Sequence, residues 1–340
     1  MKITVLYGGH SAEREISLKS GAGVAKALES RGHQVTLLDP ADPARALKGA
    51  SEPSAGAAAI HPASAALEPA RIVSAPAIRD TEVVFIALHG GEGENGTLQA
   101  LLDLAGVAYT GSGVLSSALA MDKRMSKIVF SQSAIPTPPW AWIKPGAPPE
   151  LSAAEVSNMG GYPLVIKPND QGSTIGLSII QEAIELRAAV DLARKYARDV
   201  LIERFIPGRE LSVPVVSSKA LPVIEIQPTH GIHDYECKYT RGLSSYLCPA
   251  PLDAAVTAYV QDLAVRACDS LGCEGAARVD FRLDPQNVAW CLEVNTIPGM
   301  TETSLVPMAA QAAGTGFAEF VEQLCAQALE ARRRKQDLTV

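Results

Sequence analysis

Between Ala277 and Asn295 the side chains alternate between apolar and polar, and Asp284-Pro285-Gln286-Asn287 interrupts the alternation with turn-forming residues. This pattern commits the segment to an antiparallel strand pair, because a period of two buries one face only in a sheet. Taking those four residues as the loop sets Leu283 opposite Val288 and Asp280 opposite Cys291. Val279, Phe281, Leu283, Val288, Trp290, Leu292 and Val294 then share the buried face, and Arg278, Asp280, Arg282, Cys291, Glu293 and Asn295 share the other. Asp280 and Glu293 become diagonal neighbours, about 7–8 Å apart at the backbone, while Glu293 and Asn295 point the same way. Two carboxylates and a carboxamide oxygen suit a hard cation such as Mg²⁺ and leave positions for phosphate oxygens and water. A solvent-facing sheet of mixed charge alternates in the same way, so the hairpin alone leaves both readings open. The following Thr296 to Thr301 contains Pro298-Gly299, a turn whose exposed N–H groups could stabilise an oxyanion beside those ligands.

The chain opens with a short apolar strand, Ile3 to Tyr7, running into Gly8-Gly9, a helix pattern from Ser17 to Ser30 and a second strand, Gln34 to Leu38. That order is typical of an open α/β sheet. Pro40 to Asp80 is rich in Ala, Pro, Ser and Gly and reads as a surface excursion. A buried strand, Val83 to Leu88, delivers His89 and a glycine-rich stretch that opens a helix over Thr97 to Leu104. One helix is expected over Val114 to Ser133, then a Pro-rich linker, Pro136 to Pro149, in which Trp140 and Trp142 are packing residues.

Beyond the linker, Pro163 to Lys167 and Gly176 to Ile180 flank a loop containing Gly172 and Ser173. Glycine there lets backbone amides approach phosphate oxygens, and Lys167 adds a point charge, although a Gly-containing hairpin is more often a mere turn. The Gly-Lys-Ser/Thr of a P-loop is lacking. A helix at Glu182 to Ala197 and strands at Val200 to Phe205, Glu210 to Val216 and Val223 to Gln227 follow. His230 to Cys248 has no clear period and reads as an ordered functional loop or a mobile cover, and Leu252 to Leu271 is helical.

Composition removes several alternatives. The 340 residues carry a net charge of -7, which gives no electrostatic reason to bind nucleic acid or an anionic membrane. No apolar run approaches bilayer length and none near Met1 resembles a secretory core, so a cytoplasmic location is expected. The six cysteines show neither CxxC pairs nor scaffold spacing and are expected to be reduced and mostly buried.

In this order, the motifs resemble those of the D-alanine-D-alanine ligases of the ATP-grasp superfamily. The likeness runs from Gly8-Gly9-His10-Ser11-Ala12-Glu13 through Ala87-Leu88-His89-Gly90, Tyr109-Thr110-Gly111-Ser112-Gly113, Lys167-Pro168 and Glu236-Cys237-Lys238-Tyr239. It ends with Arg278-Val279-Asp280, Glu293-Val294-Asn295-Thr296-Ile297-Pro298-Gly299-Met300-Thr301 and Ser304-Leu305-Val306-Pro307. It departs at Cys237, where a small apolar residue is common, and at Ile232, where an aromatic residue is frequent.

The resemblance implies an ATP-grasp fold of mixed α/β and α+β class: an N-terminal substrate domain over 1–112 and two ATP-clamping subdomains over 113–206 and 207–340. It implies two Mg²⁺ ions on Asp280, Glu293 and Asn295, with Mn²⁺ as an alternative occupant. ATP is expected between two sheets, its phosphates on Lys123, Lys167, Gly172 and Ser173, its adenine near Glu203 and Phe205 and its ribose on Glu210. Glu13 is expected to engage the ammonium of the first D-alanine and to form a triad with Ser173 and Tyr239. Arg278 and the Gly299 N–H would make the oxyanion hole, Ser304, Leu305 and Lys238 would receive the second D-alanine, and His89 is a substrate contact or a buried imidazole. The implied reaction joins two D-alanines through an acyl phosphate for peptidoglycan precursor synthesis, in a homodimer. Three rivals stay open: a D-alanine-D-lactate ligase, which generally lacks the tyrosine at 239; a non-catalytic nucleotide-binding module; and a dinucleotide-dependent oxidoreductase, against which the absence of GxGxxG counts.

Overall fold

The computed structural model describes residues 1–42, 46–48, 69–228 and 244–337. Its strands form three sheets. The first holds β1 (Lys2–Leu6), β2 (Gln34–Leu38), β3 (Leu47–Lys48), β4 (Val83–Ile86) and β5 (Ala108–Tyr109), in the order β3-β2-β1-β4-β5. Apart from the antiparallel β3, its strands are parallel. Parallel sheets must be covered on both faces, and alternation along β1 feeds two cores. Ile3 and Val5 pack with the helices Arg14–Ser30 and Phe317–Asp337, while Leu6 packs with Ile78, Leu98 and Leu102. Each fully buried side chain of this kind contributes about 1.5–3 kcal/mol.

At the carboxyl end of β1 the chain turns sharply through Gly8, whose φ is +78° and where a Cβ would lie 2.7 Å from Arg14 and Asp39. The Arg14–Asp39 ion pair, at 2.6 Å, closes over that turn. Ligands of open α/β sheets bind outside these strand ends, and Glu13 and His89 both lie here.

The second sheet holds β6 (Trp140–Ile143), β7 (Leu164–Pro168), β8 (Ser178–Ile180) and β9 (Val200–Arg204), in the antiparallel order β6-β9-β7-β8. The Pro-rich segment is therefore not only a linker, since Trp140 and Trp142 lie in a strand paired with β9. Trp142 donates from its indole N–H to Asp199 at 2.9 Å, and the Arg124 guanidinium stacks 4.2 Å over its ring.

The third sheet holds β10 (Arg209–Val216), β11 (Lys219–Ala220), β12 (Ile224–Pro228), β13 (Ser244–Leu247), β14 (Ala276–Leu283) and β15 (Ala289–Asn295). Its order is β13-β12-β10-β14-β15, with β11 on β10. One face packs Leu211, Val213, Val279 and Phe281 against the helix Ala254–Leu271.

The helix expected over Val114 to Ser133 breaks at Asp122 into Val114–Met121 and Lys123–Gln132. The Asp122 carboxylate accepts the Met125 N–H at 2.9 Å, the N-cap bond that starts a new helix. Ala120 and Phe130 of these helices pack into the core of the third sheet, and the last helix packs on the first. Packing therefore crosses positions 112 and 206, because apolar faces find partners without regard to chain order.

Candidate active site

The second and third sheets face each other across a cleft, and period-two alternation decides what lines it. On β7, Leu164 and Ile166 enter the core, so Val165 and Lys167 face the cleft; on β9, Glu203 faces it. From the other sheet, Val279, Phe281 and Leu283 are buried, and Asp280 and Arg282 turn to the cleft with Glu210 and Glu293. Phe205, Gly172 and Ser173 complete the lining.

The β14–β15 hairpin exists, but its register differs from the expected one. Leu283 pairs with Ala289, Arg282 with Trp290 and Phe281 with Cys291; a bulge follows, and Asp280 pairs directly with Glu293. Leu292 is the extra residue. Cys291 is consequently fully buried in the core, while Trp290 and Leu292 leave it. Leu292 lines the cleft, and Trp290 donates to the Asp284 carboxylate at 2.9 Å. The physical cause is a competing edge. Cys291 N–H donates to Pro136 O at 2.7 Å and Cys291 O accepts from Thr137 Oγ1 at 2.8 Å, which draws the strand out of step with β14. The bulge also places Asp280 and Glu293 opposite each other rather than diagonally, and a two-residue step from Glu293 keeps Asn295 on its face.

These ligands are held by neighbours. Asp280 accepts from Ser212 Oγ at 2.7 Å and from the Arg278 guanidinium at 2.8–3.2 Å. Glu293 lies 3.3 Å from Lys123 Nζ, which donates to Gln171 O at 2.7 Å, and Asn295 Oδ1 accepts the Ile297 N–H at 2.9 Å. Two carboxylates across one strand pair with an amide oxygen beside them form an all-oxygen donor set with cations already drawn to it, which fits hard divalent ions.

Behind the cleft stands a charge cluster that the sequence reading missed. Glu203, 2% exposed, is bound by Lys127 at 2.8 Å and by Lys167 at 2.9 Å. Lys127 is wholly buried and passes a hydrogen bond to Thr137 Oγ1 at 2.6 Å. Burial pushes its ammonium below the ordinary value, Glu203 opposes that shift and Lys167 adds to it. Burial pushes the Glu203 carboxyl up, but the two ammoniums more than offset this and hold it below the usual carboxylate range. The available signal was helical spacing: Lys123 and Lys127 are four residues apart and share a face. Arg282, which the alternation put on the polar face without assigning it a role, lies 3.4 Å from Glu210 and 5.8 Å over the Phe205 ring.

The first-sheet residues approach the same space. Ser173 Oγ donates to Glu13 Oε1, and Ser173 and Thr174 hold φ of +51° and +62°, a bend that aims the loop at the strand ends. His89 is 5% exposed; its Nδ1 lies 3.1 Å from Ile297 O and its Nε2 3.2 Å from Ser20 Oγ, so the ring ties the first sheet to the Pro298-Gly299 turn. Both ring nitrogens are engaged by protein. Around that turn, the Thr301 N–H and hydroxyl lie 3.1 Å and 2.8 Å from Ser304 Oγ, at the start of the helix Leu305–Ala312. Lys238, Tyr239, Cys237 and Ile232 lie outside the described residues.

Two family models match the chain: the D-ala D-ala ligase N-terminus over residues 2–112 and the D-ala D-ala ligase C-terminus over residues 129–326. A D-alanine--D-alanine ligase from Gloeobacter violaceus is 44% identical over 97% of this chain and 100% of its own length. One from Bordetella pertussis is 44% identical over 96% of this chain and 95% of its own. Among solved structures, the Bacillus anthracis D-alanine--D-alanine ligase complexed with ATP superposes with a TM-score of 0.78 at 27% identity, covering 98% of this chain and 99% of that one.

Proposed function

We propose that this chain, which belongs to the D-alanine-D-alanine ligase family, is an ATP-grasp enzyme that spends ATP to join two molecules of D-alanine. The observation that carries the reading is the cleft in which Lys123, Lys167, Asp280 and Glu293 converge between two sheets. The carboxylate of the first D-alanine attacks the γ-phosphorus of ATP, the bond to ADP breaks, and a D-alanyl phosphate forms. Lys123 and Lys167 offset the charge that spreads over the transferring oxygens. The neutral amine of the second D-alanine then attacks the acyl carbon, and the resulting oxyanion is stabilised by Arg278 and the Gly299 N–H. Collapse forms the peptide bond and releases phosphate, and the amine proton leaves to solvent.

Glu13 receives the ammonium of the first D-alanine, and its bond to Ser173 links substrate binding to the phosphate loop. Ser304 and Leu305, with Lys238, form the second subsite. Asp280, Glu293 and Asn295 hold Mg²⁺, with Mn²⁺ as a substitute; when bound, the ions supply charge neutralisation on the ATP phosphates. Glu203 serves ATP at one remove, by fixing the Lys167 ammonium at the cleft wall. Residues 1–112, 113–206 and 207–340 are the working divisions, and the assembly is a homodimer in the cytoplasm. Among the described residues no helix is long and apolar enough to cross a membrane. Phosphate release from ATP tests the reading: stimulation by D-alanine and not by L-alanine is expected, with D-alanyl-D-alanine as product. Equal rates with D-alanine, L-alanine and no amino acid would overturn it.

A further inference from the structure

Away from the cleft, the end of the helix Ala254–Leu271 brings two thiols together. The helix closes on Gly272, whose φ of +70° is the left-handed conformation favoured after a helix. Gly272 N–H donates to Asp269 O at 3.0 Å and Cys273 N–H donates to Cys268 O at 2.9 Å. This pair of bonds folds the chain back so that the residue after the glycine lies over the residue five positions before it, and their side chains meet. In most helices that contact is between two apolar groups. Here the two residues at those positions are Cys268 and Cys273.

Neighbouring elements fix the turn. Ser116 Oγ donates to Gly272 O at 2.5 Å, and Ser112 Oγ accepts the Glu274 N–H at 3.1 Å. The two sulfurs differ in access. Cys268 is 2% exposed, whereas Cys273 is half-buried and lines a cavity beside Tyr109 and the last helix. They also differ in acidity: the neighbouring Cys268 lowers the Cys273 thiol against the opposing effect of burial, and Cys273, with burial, raises Cys268. One thiol is set up to react first and the other to resolve.

We propose that Cys268 and Cys273 form a redox modification site, a dithiol that a hydroperoxide closes into an intrachain disulfide. The Cys273 thiolate, its proton lost to solvent, attacks the outer peroxide oxygen. The O–O bond breaks, a sulfenic acid forms on Cys273, and the departing hydroxide or alkoxide takes up a proton. The Cys268 sulfur then attacks the Cys273 sulfur, the S–O bond breaks, and the Cys268 proton leaves with the hydroxyl as water. Two electrons pass from the thiols to the peroxide. A disulfide needs Cα atoms about 4.4–6.8 Å apart, and the 2.9 Å bond from Cys273 N–H to Cys268 O holds the two backbones together at this turn. Closure also spares Cys273 from irreversible oxidation to the sulfinic acid.

Both cysteines fall in one tryptic peptide, Ala267–Arg278, which makes the test direct. The full chain is treated with hydrogen peroxide, alkylated, digested and weighed. The expected product is that peptide lighter by two hydrogens, unalkylated, and returned to two alkylatable thiols by dithiothreitol. In Cys268→Ser, the sulfenic acid on Cys273 is expected to persist and to be trapped by dimedone. Two alkylated thiols after peroxide, or sulfinic acid on Cys273 of the native chain without the cross-link, would overturn the proposal. Should the variant fail to fold, the mass of the native peptide decides alone.

Discussion

Replacing Glu203 by Gln keeps the volume of the side chain and removes the one negative charge between Lys127 and Lys167, 2.8 Å and 2.9 Å away. Both ammoniums then lack their counter-charge, and Lys127 has no route to water because it is wholly buried. Breaking a buried ion pair from one side costs about 3–5 kcal/mol, most of it the charge left behind. For a chain of this size about 2 °C of melting temperature is lost per kcal/mol, so E203Q is expected to melt about 6–10 °C below the parent. The double variant E203Q/K127M removes one stranded ammonium, and about 1–3 kcal/mol of the loss should return as coupling between the sites. Thermal melts of the parent, both single variants and the double complete the cycle. An E203Q melting point within 2 °C of the parent, or a double variant no more stable than E203Q, would refute the cluster's role.

Glu293→Gln is expected to abolish D-alanine-dependent phosphate release while leaving the melting temperature nearly unchanged, since Glu293 is a quarter exposed and its ion pair with Lys123 is long at 3.3 Å; retained turnover would remove it from the ligand set. Gly208→Ala should cost more than about 2 kcal/mol in a urea titration, because a Cβ there would sit 2.1 Å from Leu283 O with φ at +125°. The Glu322 carboxyl, bound by Arg31 and His33, is held below its ordinary value, first by the hydrogen bond from Arg31. A depressed carboxyl stabilises the fold above its unfolded pKa, about 4.3, and that contribution is lost as pH falls through the lower folded value. Urea midpoints between pH 5 and pH 3 should therefore fall less steeply for Glu322→Gln than for the parent.

The sequence made the hairpin side of the cleft legible because Asp280 and Glu293 sit on strands, where period two assigns a face without reference to the rest of the fold; Lys167, Glu203 and Glu210 were placed beside the nucleotide by the family resemblance. Lys167, Glu203, Glu210, Asp280 and Glu293 all line one cleft. Register was not legible. The bulge at Leu292 arises from Pro136 and Thr137, more than 150 positions earlier in the chain, and no local pattern in β15 reports that competition. Lys127 escaped notice because a lysine on a helix reads as solvated until the element above it is known, and the element above it is β9. The break at Asp122 was within reach, since Asp is a favoured N-cap residue whose carboxylate can accept the N–H three residues on, but the apolar periodicity on either side masked it. Trp140 and Trp142 were hidden by the prolines around them, which mark an edge strand as readily as a linker.

Because Phe320, Val321, Leu324 and Cys325 seat against Ile3, Val5 and Val83, the apolar floor beneath the first strand is furnished by a helix, Phe317–Asp337, that follows it by most of the chain. During translation β1 emerges early and must wait, half covered, while the rest of the chain is made. A premature stop before Phe317 would therefore undo the sheet built on β1, far upstream of the lesion, rather than the segment next to it.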